Sequence, residues 1–255
     1  MATITTDDGV ELHHEITGSG PALLLIHGIT ESSEAWAPLV PRFATDRTVI
    51  TYDQRGHGAS GFGEDLSVQR LAADADAIVQ ATGVGQVDVV GHSLGGMVAA
   101  TYGALFAPRR IVVVDQPLAL ADFQDQLRAA EPMLRGDGLP DFMAAMFEGM
   151  AGPLGDDEQA RLAGLRRTDP RVVLGVWGPV LDGDAAELDA LVRGVGAGIT
   201  APLLALHGID PGPEYAAWLG DVVASAELEL WADHGHYPQL VDTDRFVDRV
   251  ATWLG

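Results

Sequence analysis

Apolar residues fall along this chain in two rhythms. Residues Ala2–Thr6 and Glu11–Thr17 alternate polar and apolar about Asp8-Gly9, which predicts a hairpin. Six continuous apolar runs follow: Ala22–Ile26, Thr48–Tyr52, Val87–Val90, Arg110–Val114, Pro202–Leu206 and Glu227–Trp231. Runs of this length without alternation suit strands buried on both faces, as in a parallel sheet. Between several of them the period changes to about 3.6. Val68–Thr82 sets Val68, Leu71, Ala72, Ala75, Ile78 and Val79 on one helical face, and Leu94–Phe106 and Arg245–Leu254 read the same way. Alternating strands and helices predict an α/β fold with a doubly wound, mostly parallel sheet. Residues 118–199 break the alternation. They carry helical patterns such as Phe123–Leu134 and Asp141–Met150, with Gly178-Pro179 expected to end a helix after Trp177, and no convincing strand. The reading is a core domain over 1–117 and 200–255 with an inserted helical lid, or cap, over 118–199. The lid would cover the carboxyl edge of the sheet, where open α/β sheets bind ligands.

Composition narrows the chemistry. The 255 residues include no Cys, and all 15 basic residues are Arg. That excludes a disulfide framework, a thiolate nucleophile, Cys-based metal sites, a Schiff-base lysine and a Walker-type phosphate lysine. The net charge of −22 repels nucleic acid and anionic membrane surfaces. The start, MATITTDDGVELHH, has neither the basic nor the apolar region of a signal peptide, and no segment reaches the roughly 18 apolar residues of a membrane span. The expectation is a cytoplasmic, soluble protein acting on a small molecule. Its oligomeric state is open, a homodimer included.

The segment that carries chemistry is Gly91-His92-Ser93-Leu94-Gly95-Gly96, set between a predicted strand and a predicted helix. A serine on such a tight turn needs small neighbours, because the backbone is strained and the helix packs close to the strand. It also stands at the positive end of a helix, where an oxyanion is stabilised. A serine hydroxyl needs a base. Of the eight histidines, His236 in Ala232-Asp-His-Gly-His236-Tyr-Pro lies just beyond the last strand and is the candidate. His234 is its near competitor. His27 is expected to support its own loop and His92 to bond or pack locally. An oxyanion hole would draw on the N–H of Leu94 and on that of Ile29 in His27-Gly28-Ile29.

Ile26-His27-Gly28, Asp53-Gln54-Arg55-Gly56-His57-Gly58-x-Ser60, the Ser93 segment and Gly235-His236-Tyr237-Pro238 resemble the α/β-hydrolase superfamily over almost the whole chain. That resemblance implies the α/β-hydrolase fold, a Ser-His-acid triad and no metal or organic cofactor. The acid has two candidates. Most members carry it after the penultimate strand, where Asp210 stands one residue early and Pro211 holds the usual place. The stretch Val114-Asp115-Gln116-Pro117-Leu118 resembles the zearalenone-type lactone hydrolases and, more distantly, cofactor-independent dioxygenases of quinolone-type rings, which favours Asp115. The Asp53–Gly56 turn is expected to shape the strand end rather than act in catalysis. Trp36 belongs either to the core or to a pocket wall. Phe123, Phe147 and Trp177 in the lid are candidate substrate contacts, implying an apolar, even aromatic, ligand. The expected activity is hydrolysis of a carboxylic ester or lactone. A cofactor-free dioxygenase using the His-Asp pair as base is the alternative, and a non-catalytic binding protein of this fold the third. Haloalkane dehalogenases and epoxide hydrolases are disfavoured because their nucleophile is Asp, and position 93 is Ser.

Overall fold

A computed structural model describes residues 2–255. Eight strands form one sheet: β1 (Ala2–Thr5), β2 (Glu11–Thr17), β3 (Ala22–Ile26), β4 (Thr48–Tyr52), β5 (Asp88–His92), β6 (Ile111–Val114), β7 (Leu203–His207) and β8 (Ala226–Leu230). Their order is β1-β2-β4-β3-β5-β6-β7-β8. The hairpin β1–β2 joins β4 antiparallel, and every neighbour from β4 to β8 is parallel. Among the described residues, twelve α-helices and one 3-10 helix (Ser33–Trp36) accompany the sheet. The α-helices are α1 (Val40–Phe43), α2 (Val68–Thr82), α3 (Leu94–Phe106), α4 (Ala121–Ala129), α5 (Glu131–Leu134), α6 (Leu139–Met150), α7 (Asp156–Leu165), α8 (Pro170–Asp182), α9 (Ala185–Gly198), α10 (Tyr215–Val222), α11 (Pro238–Val241) and α12 (Thr243–Leu254). None of the described helices is long and apolar enough to cross a membrane.

The unbroken apolar runs follow from burial on both faces. In β3, Leu23 and Leu25 pack with Phe43 of α1 and Phe246, Val250 and Leu254 of α12. Leu24 and Ile26 turn the other way, into the layer of α2 and α3. All five β3 residues are buried, so no position is left for a polar alternate. Trp36, open between two readings above, packs in the α1–α12 layer at 2% exposure and is core rather than pocket wall.

Between β6 and β7 the chain forms α4–α9 and no strand. Helices α4, α5, α6 and α8 pack on one another, whereas α9 packs back against α3 and α10, in the helical layer of the sheet. Two details differ from the pattern reading. The Phe123–Leu134 stretch is two helices, because Pro132 at the start of α5 cannot donate to a preceding turn. In α8 the helix runs through Pro179 to Asp182 instead of ending at Gly178-Pro179. Side chains from α4 hold that end. Gln124 Nε2 donates to the Val180 and Gly183 carbonyls, and Arg128 to those of Leu181 and Gly183. These tertiary bonds satisfy carbonyls that a helix end leaves free. Helix α10 has no counterpart in the pattern, since eight residues give barely two turns of periodicity.

The Asp53–Gly56 turn is a structural knot at the carboxyl end of β4. Asp53 accepts from the Ser33 and Ala59 amides at 2.8 Å each. Gln54 Nε2 donates to the His27 carbonyl at 2.7 Å. Arg55 is fully buried and grips both oxygens of buried Asp74 on α2, at 2.5 and 2.8 Å, as well as Asp8. Removing one partner of a buried pair leaves a charge uncompensated. Asp74→Ala is therefore expected to cost about 3 kcal/mol, the low end of the usual range because Asp8 remains beside Arg55. A urea titration monitored by circular dichroism would show the loss as a lower midpoint at unchanged slope.

Candidate active site

Ser93 stands between β5 and α3 with φ 53° and ψ −126°, a strained conformation for a residue with a Cβ. The flanking glycines make it possible. A Cβ on Gly91 would lie 1.9 Å from the Gly95 carbonyl oxygen, and one on Gly95 would lie 2.2 Å from that of Ile26. The Ser93 amide donates to Val114 at the end of β6, which ties the turn to the next strand. Leu94 is the first residue of α3, so its N–H has no partner within the helix and remains available to an anion.

His236 lies in the loop between β8 and α11 and is 6% exposed. Its Nδ1 is 2.6 Å from Asp115 Oδ2. Asp115 Oδ1 accepts from the amides of Gly208 and Ile209, at 2.8 and 2.9 Å. Asp115 itself has φ 44° and directly follows β6, the neighbour of β5. The second acid candidate, Asp210, is exposed and accepts from the Gly212 amide in its own turn. His234 bonds the nearby Ala232 carbonyl and sits edge-on to Trp231.

Two opposing effects act on the pair. Burial pushes the Asp115 carboxyl up, but the hydrogen bond and charge of His236, with the Ile209 amide, bring it below the usual carboxylate range. For His236, burial pushes the imidazole down, and the bond to Asp115 only partly restores it. The lowered value keeps His236 neutral, and so able to take a proton, below the ordinary histidine range. For any substrate turned over here, kcat/KM is expected to fall on acidification with a midpoint below pH 6.5, about the unperturbed imidazole value. A pH–rate profile checks this; a midpoint above that value would contradict it.

His27 holds its loop as expected, with Nδ1 2.7 Å from the Gly28 carbonyl and Nε2 accepting from the Gln54 amide at 3.0 Å. His92 differs from the expectation of a local bond. Its Nε2 donates to the carbonyl of His236 at 2.7 Å, across 144 positions. Sequence reasoning missed Glu31 and Arg166 and assigned no role to Tyr237, which it met only within the Gly235–Pro238 motif. Buried Glu31 Oε1 accepts from the Tyr237 hydroxyl at 2.7 Å, and Arg166 Nη2 donates to that hydroxyl, also at 2.7 Å. The adjacency of Tyr237 to His236 was the one available signal.

Of the lid candidates, Phe123 stacks edge-on against Trp177, with ring centroids 5.5 Å apart. Phe123 also lines a cavity of about 790 Å³ between α4 and α6, with Leu127, Met133, Phe142 and Met146. Phe147 lies under the Arg166 guanidinium at 3.9 Å, in a cavity of about 290 Å³ between α6 and α7 that reaches Tyr237. Ser93 lines neither cavity. The helical segment between β6 and β7 also bonds directly to the loops that hold His236 and Thr30. His236 N–H donates to the Met150 carbonyl at 2.8 Å, and Arg167 N–H to that of Thr30 at 2.8 Å. Gly152 and Gly235 pack so closely that a Cβ on either would come within 2.8 Å of the other.

Residues 21–167, more than half of the chain, match the family of the alpha/beta hydrolase fold. The chain belongs to that family. Other comparisons place this α/β-hydrolase among varied relatives. It is 37% identical over 115 residues to a non-heme haloperoxidase from Rhodococcus erythropolis, covering 44% of this chain and 41% of that protein. It is 31% identical over 152 residues to the N-formylmaleamate deformylase of Pseudomonas putida, covering 54% and 57%. In each case the match spans less than two thirds of the curated relative. Its fold superimposes on the enol-lactonase of Burkholderia xenovorans LB400 with a TM-score of 0.80 at 20% identity, covering 99% of both chains. An esterase from Rhodococcus sp. ECU1013 gives 0.78 at 26% identity, over 99% of this chain and 98% of that one.

Proposed function

We propose that this α/β-hydrolase is a serine hydrolase that cleaves a carboxylic ester or lactone of an apolar small molecule through an acyl-enzyme. One observation carries the reading: a buried His236–Asp115 pair whose histidine is bonded by His92, the chain neighbour of a serine on a strained, glycine-flanked turn. The likeness at 26% identity to a solved esterase, and the partial match to a deformylase, are in keeping with hydrolysis of an acyl group.

In this mechanism Ser93 Oγ attacks the acyl carbon while His236 Nε2 accepts its proton. The tetrahedral oxyanion is held by the amides of Leu94 and Ile29. Asp115 keeps the His236 proton on Nδ1 and stabilises the imidazolium that forms. His236 returns the proton to the leaving alcohol, the acyl-enzyme remains, and water activated by the same imidazole releases the acid. The aromatic and methionine side chains of the cap favour an apolar acyl or alcohol group.

The test is intact-mass analysis after treatment with a fluorophosphonate, on wild type and on Ser93→Ala. A single adduct in wild type, absent from the variant, is the expected result. No adduct, with oxygen uptake on a hydroxylated heteroaromatic substrate, would overturn the reading in favour of the dioxygenase.

A further inference from the structure

Glu31 is a carboxylate in an unusual place. It lies on the loop after β3, two residues beyond Ile29, and is 1% exposed. Its Oε1 receives the Tyr237 hydroxyl proton, and Tyr237 in turn receives a bond from Arg166 Nη2. Its Oε2 has no hydrogen-bond partner. That oxygen faces His92 Nδ1 at 3.8 Å. Both lie against Gly28, where a Cβ would come within 3.1 Å of Glu31 Oε2, 3.3 Å of Ser93 Cβ and 3.4 Å of His92 Nδ1.

Counting protons decides what joins them. The His236 carbonyl can only accept, so His92 Nε2 carries a hydrogen. The Tyr237 hydroxyl has one proton, and it goes to Glu31 Oε1. With no further proton, a bare ring nitrogen and a carboxylate oxygen would face each other in a buried site, which is costly. The Arg166 guanidinium, 4.0 Å from Oε1, and the Tyr237 bond both favour the carboxylate as an anion. Burial opposes them, and the carboxyl is held below the usual carboxylate range, with neighbouring His92 the largest of the lowering influences, ahead of Tyr237 and Arg166.

We propose that Glu31 and His92 form a buried ion pair that braces the oxyanion loop against the Ser93 turn and the histidine loop, making Glu31 a positioning residue. The brace is a closed ring: Glu31 to His92, His92 to the His236 carbonyl, along the chain to Tyr237, and back to Glu31. It rests on the roles given above to Ser93, His236 and Ile29. The other charged and titratable groups facing it are His27 and His57 behind the loop, Asp53, Arg161 on α7, and the His236–Asp115 pair. Burial holds His57 neutral, down at about 3, so it brings no competing charge.

The experiment uses the whole chain labelled with ¹⁵N-histidine at pH 7, with His92→Asn to assign the signals. In wild type, both His92 nitrogens are expected to read as protonated. In Glu31→Gln, the side-chain amide can donate to Nδ1, and His92 is expected to become a neutral ring protonated on Nε2. A fluorophosphonate then reads the positioning. Glu31→Ala is expected to label about 10- to 100-fold more slowly, the scale of a misplaced catalytic group. Glu31→Gln should recover most of that rate, since its carbonyl keeps the Tyr237 bond and its amide faces His92 Nδ1. A neutral His92 in wild type overturns the ion pair, and an Ala variant that labels at the wild-type rate overturns the positioning role. If Glu31→Ala does not fold, the spectra of wild type and Glu31→Gln still decide. Should wild type fail to label while its His92 is doubly protonated, the ion pair stands and the serine-hydrolase reading falls.

Discussion

Ser93→Ala is expected to reduce kcat for an aryl ester by about 10⁶-fold, the scale of a lost serine nucleophile in subtilisin. The size follows from what alanine removes. The Leu94 amide, the His236–Asp115 pair and the cap all remain, so ground-state binding and KM should change little. The covalent route disappears, and what is left is hydrolysis by water aided by the oxyanion hole. That residue of activity is expected at roughly 10³ to 10⁴ over the uncatalysed rate. Steady-state hydrolysis of a p-nitrophenyl ester measures it, with circular dichroism to show that the variant is folded. A variant within tenfold of wild type would remove Ser93 from the mechanism.

Asp115→Asn comes next, with an expected loss of about 10⁴ in kcat, as for the same substitution in a serine-protease triad. The structure supplies a specific reason for so large an effect from one atom. Oδ1 is pinned as an acceptor by the Gly208 and Ile209 amides. An asparagine must keep its carbonyl there, which turns its NH₂ toward His236 Nδ1. The imidazole proton then moves to Nε2, and the ring can no longer take the serine proton. Asp210→Asn is the control. Asp210 is exposed and bonded only within its own turn, so its variant is expected to keep wild-type kcat. The opposite pattern, with Asp210→Asn inactive and Asp115→Asn active, would transfer the acid role to Asp210.

The strands were readable because burial on two faces leaves a mark in one dimension. Glu11–Thr17, Ala22–Ile26 and Thr48–Tyr52 appear with the same limits in sequence and structure, and Val68–Thr82 and Leu94–Phe106 do so among the helices. The other strand ends shift by a residue or two, where hydrogen bonding rather than hydropathy sets the limit. The turn at Ser93 was readable because its glycines answer to short-range crowding. The brace was not. Glu31 and His92 are ordinary residues in a sequence, and what joins them to residues 166 and 236–237 is the topology that brings β3, β5 and the loop after β8 to one edge. Trp36 stayed ambiguous for a related reason, since hydropathy tells that a side chain is buried but not on which face of the sheet. Pro179 misled because a helix end can be satisfied by side chains from another helix, here Gln124 and Arg128.

The hold of the helical segment between β6 and β7 on the loops around Thr30 and His236 bears on how such a protein can be re-engineered. A lid that merely rests on a core could be exchanged between relatives like an interchangeable head. Here the Met150 carbonyl serves the His236 amide, Arg167 serves Thr30, and Gly152 and Gly235 leave no room for a side chain between them. A transplanted cap that lacks these partners would displace the loops around Thr30 and His236 along with the specificity it was meant to change. The unit of exchange in this chain is the cap together with the segments around Thr30 and Gly235, three stretches far apart in sequence that have to be inherited as one.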